Sequence, residues 1–130
     1  MTSGYAACVR AFAWLPAIGL VVLIWVLSGT EHLAIASGWL DTVTRKAAHI
    51  TVFGLLCGAC VYGLRAHRVP VRMCLIGGAT LALVYAGIDE YHQTFVPTRH
   101  GTPVDVAIDA FGIGIASMVL VMAFNRRGIA

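Results

Sequence analysis

Ionisable residues gather in short stretches of this 130-residue sequence that adjoin strongly apolar segments. Residues 89–93 read Asp-Glu-Tyr-His-Gln, and residues 105–109 place two aspartates four positions apart. Ionisable side chains at membrane depth are costly, so a cluster of them beside apolar segments indicates a functional site. The candidate residues are Lys46, His49, Asp89, Glu90, His92, Gln93, Arg99, Asp105 and Asp109.

Four of these residues are candidates for acid–base catalysis. Asp105 and Asp109 lie one helical turn apart, and paired carboxylates can divide acid and base roles when their surroundings differ. His49 and His92 can carry a proton near neutral pH. Whether the protein is an enzyme stays open, because no nucleophile motif and no glycine-rich phosphate loop accompany them.

The other five candidates are assigned to substrate binding. Lys46 and Arg99 suit an anionic oxygen, since a guanidinium binds phosphate as a fork and an ammonium as a point charge. Asp89, Glu90 and Gln93 complete the polar lining. We expect no resident metal ion or other cofactor, because neighbouring cations balance the acids and no zinc-ligand spacing is present. Mg²⁺ or Mn²⁺ between carboxylates and a phosphate is the alternative.

Four apolar segments must position these residues. Hydrophobic residues make up 59% of the chain and charged residues only 12%, and a helix that crosses a bilayer needs roughly 17–25 apolar residues. The sequence therefore predicts an all-α fold, a single domain over residues 1–130 that forms an integral membrane bundle of four transmembrane helices. The predicted spans are residues 11–28, 47–64, 73–91 and 104–124.

The basic residues are unevenly divided between the two ends of these spans. If the amino terminus is inside, six of the nine lie on the inner side, namely Arg10, Arg65, Arg68, Arg72, Arg126 and Arg127. Positive charge favours the cytoplasmic side, so we predict that both termini are cytoplasmic and that the acidic cluster faces outward. Because the basic residues form no continuous face, nucleic acid is not an expected partner.

Small residues recur on three of the spans. Gly54 and Gly58 lie four apart on the second span, residues 77–78 are both glycine, and residues 112–114 read Gly-Ile-Gly. Small residues let helix backbones approach closely within a membrane. They predict close packing inside the bundle, and the same faces are alternatively the contact surface of a homo-oligomer.

The charged cluster has two interpretations. One is a pocket for a lipid-linked or other polar substrate at the level of the headgroups. The other is a structural ion-pair network that fixes helix register in a non-enzymatic binding or assembly protein, since polar residues cost less near the interface than at the bilayer centre. Four carboxylates face Arg45, Lys46 and Arg99, so the cluster is expected to be nearly self-neutralising.

A longer motif surrounds this cluster and extends upstream of it. It comprises Asp89-Glu90-x-His92-Gln93-x-Phe95-x-Pro97-x-Arg99, then Asp105-xxx-Asp109-xx-Gly112, with Arg45-Lys46-x-x-His49-xxx-Phe53 before them. This pattern resembles the motifs of the VanZ-like membrane protein family. The sequence departs from them at two positions, because Asp109 stands where the family commonly has Asn and Phe53 where Tyr is frequent.

The resemblance implies a small multi-pass protein of the bacterial inner (cytoplasmic) membrane. It also implies a role in the cell envelope, since the family's namesake role is reduced susceptibility to the glycopeptide antibiotic teicoplanin. Combined with the polar cluster, this gives a membrane lipid or a lipid-linked envelope precursor as the expected partner. We therefore expect an outward-facing pocket that binds or modifies an envelope lipid-phosphate or glycolipid.

Overall fold

The computed structural model describes residues 8–30, 38–97, 99 and 101–128. The helices of this part of the chain are α1 (Leu15–Ser28), α2 (Trp39–Ala66), α3 (Val71–Gln93) and α4 (Pro103–Arg126). A short helical segment before α1 extends the first apolar span to Cys8–Ser28, and all four spans are long and apolar enough to cross a membrane. The described residues contain no strand. The prediction of an all-α bundle with four membrane spans is confirmed.

Helix α2 differs most from its predicted span. It begins at Trp39 rather than near residue 47. Its added turns carry Asp41 and Arg45, which form an ion pair, and an acid four residues before a base supports a helix outside its apolar part. Lys46 and His49 therefore lie inside a helix and not at its start.

Helix α4 begins at a well-defined cap. The Oγ1 atom of Thr102 accepts a hydrogen bond from the backbone N–H of Asp105 at 3.2 Å, which satisfies one of the free donors at a helix start. Pro103 follows at the first helical position, where its missing N–H costs nothing. The cap fixes where Asp105 and Asp109 enter the bundle.

Helices α2 and α3 are the central elements, because each packs against the other three helices. Helix α1 lies against α2 and α3. The buried core is made mainly of small and medium side chains: Ala17, Ile24, Phe53, Leu56, Cys57, Cys60, Ala82, Ala86 and Ile113. Many large apolar side chains point outward instead, as expected for a bundle whose outer surface contacts lipid.

Close packing of α2 on α4 depends on two glycines. A Cβ atom on Gly112 would overlap the backbone carbonyl of Ile50, and one on Gly54 would lie 3.2 Å from the Gly112 carbonyl oxygen. Gly58 and Gly114 have no such neighbour. On the third span, a Cβ atom on Gly78 would lie 3.2 Å from the Cys57 carbonyl oxygen. The predicted role of small residues in helix packing therefore applies to Gly54, Gly78 and Gly112 within one chain.

Candidate functional site

A cavity of about 330 Å³ lies at the end of the bundle where α2 and α4 begin and α3 ends. Its volume is within the range of about 300–1,000 Å³ that is typical of ligand pockets. Seven of the nine candidate residues line it. The complete lining is Thr42, Arg45, Lys46, His49, Glu90, Gln93, Arg99, Asp105, Ile108 and Asp109.

Two polar contacts join α2 to α4 across this cavity. The Nζ atom of Lys46 donates to Oδ1 of Asp105 at 3.0 Å. One turn deeper, Nδ1 of His49 lies 3.1 Å from Oδ1 of Asp109, whose side chain is 0% exposed. The pairing follows from the spacing, since residues three and four apart share a helix face. The convergence of these two segments, which the sequence predicts, is present in the structure.

Helix α3 contributes two buried carboxylates held by one amide. The Nε2 atom of Gln93 donates to Oδ2 of Asp89 at 2.9 Å and lies 3.4 Å from Oε1 of Glu90. The other oxygen of Glu90 accepts from the backbone N–H of Thr102 at 3.2 Å. Glu90 and Gln93 line the cavity, whereas Asp89 is fully buried beside them.

The Lys and Arg side chains neutralise the carboxylates of the cluster less completely than the sequence suggests. Arg45 pairs with Asp41 on its own helix. Arg99 donates to the backbone carbonyls of Leu27 at 3.2 Å and Thr30 at 3.4 Å, at the end of α1. Partial burial lowers the pKa of Arg99, and the nearby charge of Arg45 acts in the same direction.

Only one cluster carboxylate has a basic partner of the Lys or Arg type within the described residues. That carboxylate is Asp105, which pairs with Lys46. Asp89, Glu90 and Asp109 have no such ion pair there. The expected self-neutralisation therefore does not extend to the deeper part of the site.

His92 lies outside the cavity lining. Its ring stacks on Trp25 of α1, with a centroid distance of 3.8 Å. Its Nδ1 atom is buried and has no hydrogen-bond partner among the described residues. Of the four acid–base candidates, His49, Asp105 and Asp109 thus share the cavity, and His92 faces α1.

A second, smaller cavity of about 110 Å³ lies between α1 and α2. Ile24, Leu27, Ala48 and Val52 give it an apolar character. Its remaining lining includes Arg45, His49 and Arg99, which also line the larger cavity. The larger, polar cavity and this smaller apolar cavity, called the apolar slot below, therefore have three basic side chains in common.

Sequence reasoning overlooks two contributors to the site. Thr102 links Glu90 to Asp105 through its backbone and its hydroxyl. Its spacing to Asp105 matches the Ser/Thr-x-x-Asp/Glu pattern of a helix start, so the signal is present in the sequence. Thr42 lines the cavity one turn before Lys46, but a lone threonine beside an apolar segment gives no signal of its own.

The chain matches the sequence model of a protein family. The sequence model of the VanZ/LLP1 family matches residues 7–124, a range that includes every candidate residue and reaches all four helices. No curated protein matches the chain, and no solved structure matches it.

Proposed function

Since the chain belongs to the VanZ/LLP1 family, we propose that this multi-pass membrane protein binds an envelope lipid-phosphate or glycolipid through its polar cavity. The membrane is the inner membrane of a bacterial cell, with the cavity facing outward. Reduced susceptibility to teicoplanin is the cellular effect that we propose for this binding. Modification of the bound lipid is a second candidate function.

The observation that carries the proposal is that the two cavities are adjacent and have three lining side chains in common. The larger one is polar and the smaller one is apolar, and Arg45, His49 and Arg99 line both. A ligand with a charged head and a hydrocarbon chain can place its head in the first and the start of its chain in the second. Neither a free sugar nor a free phosphate would use the apolar slot.

The cavity offers groups of both kinds that such a headgroup needs. A guanidinium has five N–H donors, and Arg99 uses one nitrogen on the α1 carbonyls, so further donors are free to bind phosphate oxygen. The buried carboxylate of Glu90 can accept from sugar hydroxyls. A charge-assisted hydrogen bond of this kind contributes about 1.5–3 kcal/mol.

Catalysis on the bound lipid is favoured by the contact between His49 and Asp109. A carboxylate beside Nδ1 holds an imidazole in one orientation and tautomer, which leaves the other ring nitrogen to take a proton from a substrate. His49 lines both cavities, so this nitrogen is near the position proposed for the headgroup. The chemistry that we propose is general-base activation of a hydroxyl group or a water molecule.

Binding is tested on purified protein in detergent by native mass spectrometry with a polyprenyl phosphate. We expect the wild type to retain the lipid and Arg99→Gln to bind it about tenfold more weakly, which corresponds to roughly 1.4 kcal/mol. Arg126→Gln is the matched control, because Arg126 is exposed and lies at the far end of α4. Equal lipid binding by the two variants would contradict the proposal.

The structural interpretation of the cluster predicts a different outcome in the same experiment. Removing one partner of a buried charge network is strongly destabilising. If Asp109→Asn and His49→Gln, which break the buried contact between these two residues, unfold at much lower temperatures while the wild type retains no lipid, the cluster is a structural network that holds the helices in register.

A further inference from the structure

Three side chains beside the cavity have the spacing of a metal site. One ligand atom from each of His49, Asp89 and Glu90 lies within 4.8 Å of the other two. Ligand atoms in a tetrahedral site with bonds of about 2.0–2.2 Å lie roughly 3.3–3.6 Å apart. The three atoms would therefore approach one another by up to about 1.5 Å to share an ion.

The second observation is a buried oxygen without a partner. Asp89 is 0% exposed, and its Oδ1 atom has no hydrogen-bond partner among the described residues. Its Oδ2 atom accepts from Gln93, so the carboxylate is already fixed in orientation. Buried polar atoms are nearly always paired in native proteins. Oδ1 of Asp89 is therefore an available ligand atom in the group formed with His49 and Glu90.

Gln93 brings the two α3 carboxylates together. Successive residues of an α-helix point about 100° apart, so neighbouring side chains do not converge without help. The amide of Gln93 lies 2.9 Å from Asp89 and 3.4 Å from Glu90. This contact holds both carboxylates on the side of α3 that faces His49 of α2.

The local charge favours a cation. Asp89, Glu90 and Asp109 are buried and form no ion pair with Lys or Arg in the described part of the chain. His49 lies 3.1 Å from Asp109 and 4.0 Å from Glu90, and Arg99 interacts electrostatically with Asp89 and Glu90 without forming an ion pair. Buried carboxylates are normally paired or bound to a metal, and a divalent ion would provide the missing positive charge.

We propose that His49, Asp89 and Glu90 bind a divalent transition-metal ion, Mn²⁺ or Zn²⁺. The imidazole nitrogen favours these ions over Mg²⁺ and Ca²⁺, which prefer ligands that are all oxygen. Asp109 orients the ring of His49, as a carboxylate commonly does for a metal-bound histidine. The site differs from the sequence-based expectation of no resident metal, and it does not depend on the proposed lipid. Because Nδ1 of His49 contacts Asp109, the ion would take the other ring nitrogen, so the metal site is an alternative to the general-base role of His49.

The test measures metal content on protein purified without a polyhistidine tag. The protein is stripped with a chelator, dialysed against Mn²⁺ or Zn²⁺ and then against buffer, and analysed by mass spectrometry of the elements. We expect one ion per chain, a higher unfolding temperature with the ion bound, and nitrogen coupling in the electron paramagnetic resonance spectrum of the Mn²⁺ form.

Matched variants locate the ion. Asp89→Asn and His49→Gln should lose it, whereas Asp41→Asn and His67→Gln, which make the same changes away from the three ligands, should keep it. Asp109→Asn should weaken binding by about tenfold to a hundredfold.

Two results would overturn the site. One is that the metal-free wild-type protein binds neither Mn²⁺ nor Zn²⁺. This result excludes the site even if Asp89→Asn does not fold. The other is equal metal content in His49→Gln and His67→Gln. The assay contains no lipid-phosphate, so neither result bears on the lipid-binding proposal.

Discussion

Thr102 connects two helices of the site with two of its atoms. Its hydroxyl caps α4 and donates to Oδ2 of Asp105 at 2.7 Å. Its backbone N–H donates to Glu90 of α3 at 3.2 Å. The hydroxyl bonds depend on the side chain and the Glu90 bond does not, so substitutions can separate the two contributions.

We expect Thr102→Ala to lower the free energy of unfolding by about 1 kcal/mol, because it removes the helix cap. Thr102→Ser is the matched control, since serine keeps the hydroxyl. Thermal unfolding of the purified variants in detergent measures the difference. Equal unfolding temperatures for the alanine and serine variants would show that the cap contributes nothing.

The pairing of α2 with α4 is the part of the site that the sequence predicts best. Lys46 and His49 lie three apart and Asp105 and Asp109 four apart, so each pair must share a helix face. The orientation of His92 is not predictable in this way. Its contact with Trp25 depends on the rotation of α3 about its axis relative to α1. The sequence does not predict this rotation, because apolar residues lie on most sides of both helices.

At the scale of helices, apolar runs predict the number and order of the elements but not all of their ends. The predicted spans 73–91 and 104–124 agree closely with α3 and α4. Helix α2 extends well beyond its apolar run, because the ion pair between Asp41 and Arg45 stabilises turns that hydropathy alone does not identify. Those additional turns place Thr42 and Arg45 in the cavity wall.

The close crossing of α2 and α4 can be tested with two glycines of the same helix. Gly112→Ala would press a methyl group against the backbone of Ile50, and overpacking of this kind typically costs about 1–3 kcal/mol. Gly114→Ala meets nothing within 4 Å and should be tolerated. Thermal unfolding compares the stability of the two variants. We expect Gly112→Ala also to weaken lipid binding, because the crossing of α2 and α4 aligns Lys46 with Asp105. Similar stability of the two variants would contradict the close crossing.

At the scale of the molecule, polar groups are segregated to the two ends of the bundle. The cavity occupies one end, with its acids and Lys46. The other end carries Arg65, Arg72 and Arg126, near the end of α2, the start of α3 and the end of α4. The end with these arginines therefore lies opposite the end with the cavity. Since positive charge favours the cytoplasmic side, we predict that the arginine-rich end faces the cytoplasm.

This orientation is tested by labelling single cysteines in intact bacterial cells. Cys8 is the exposed native cysteine, whereas Cys57, Cys60 and Cys74 are buried, so the labelling background is Cys8→Ser. We expect a membrane-impermeant maleimide to label Phe95→Cys, at the exposed cavity end, and to label Arg127→Cys only after the cells are opened. The opposite pattern would place the cavity on the cytoplasmic side and would require a ligand from the inner leaflet.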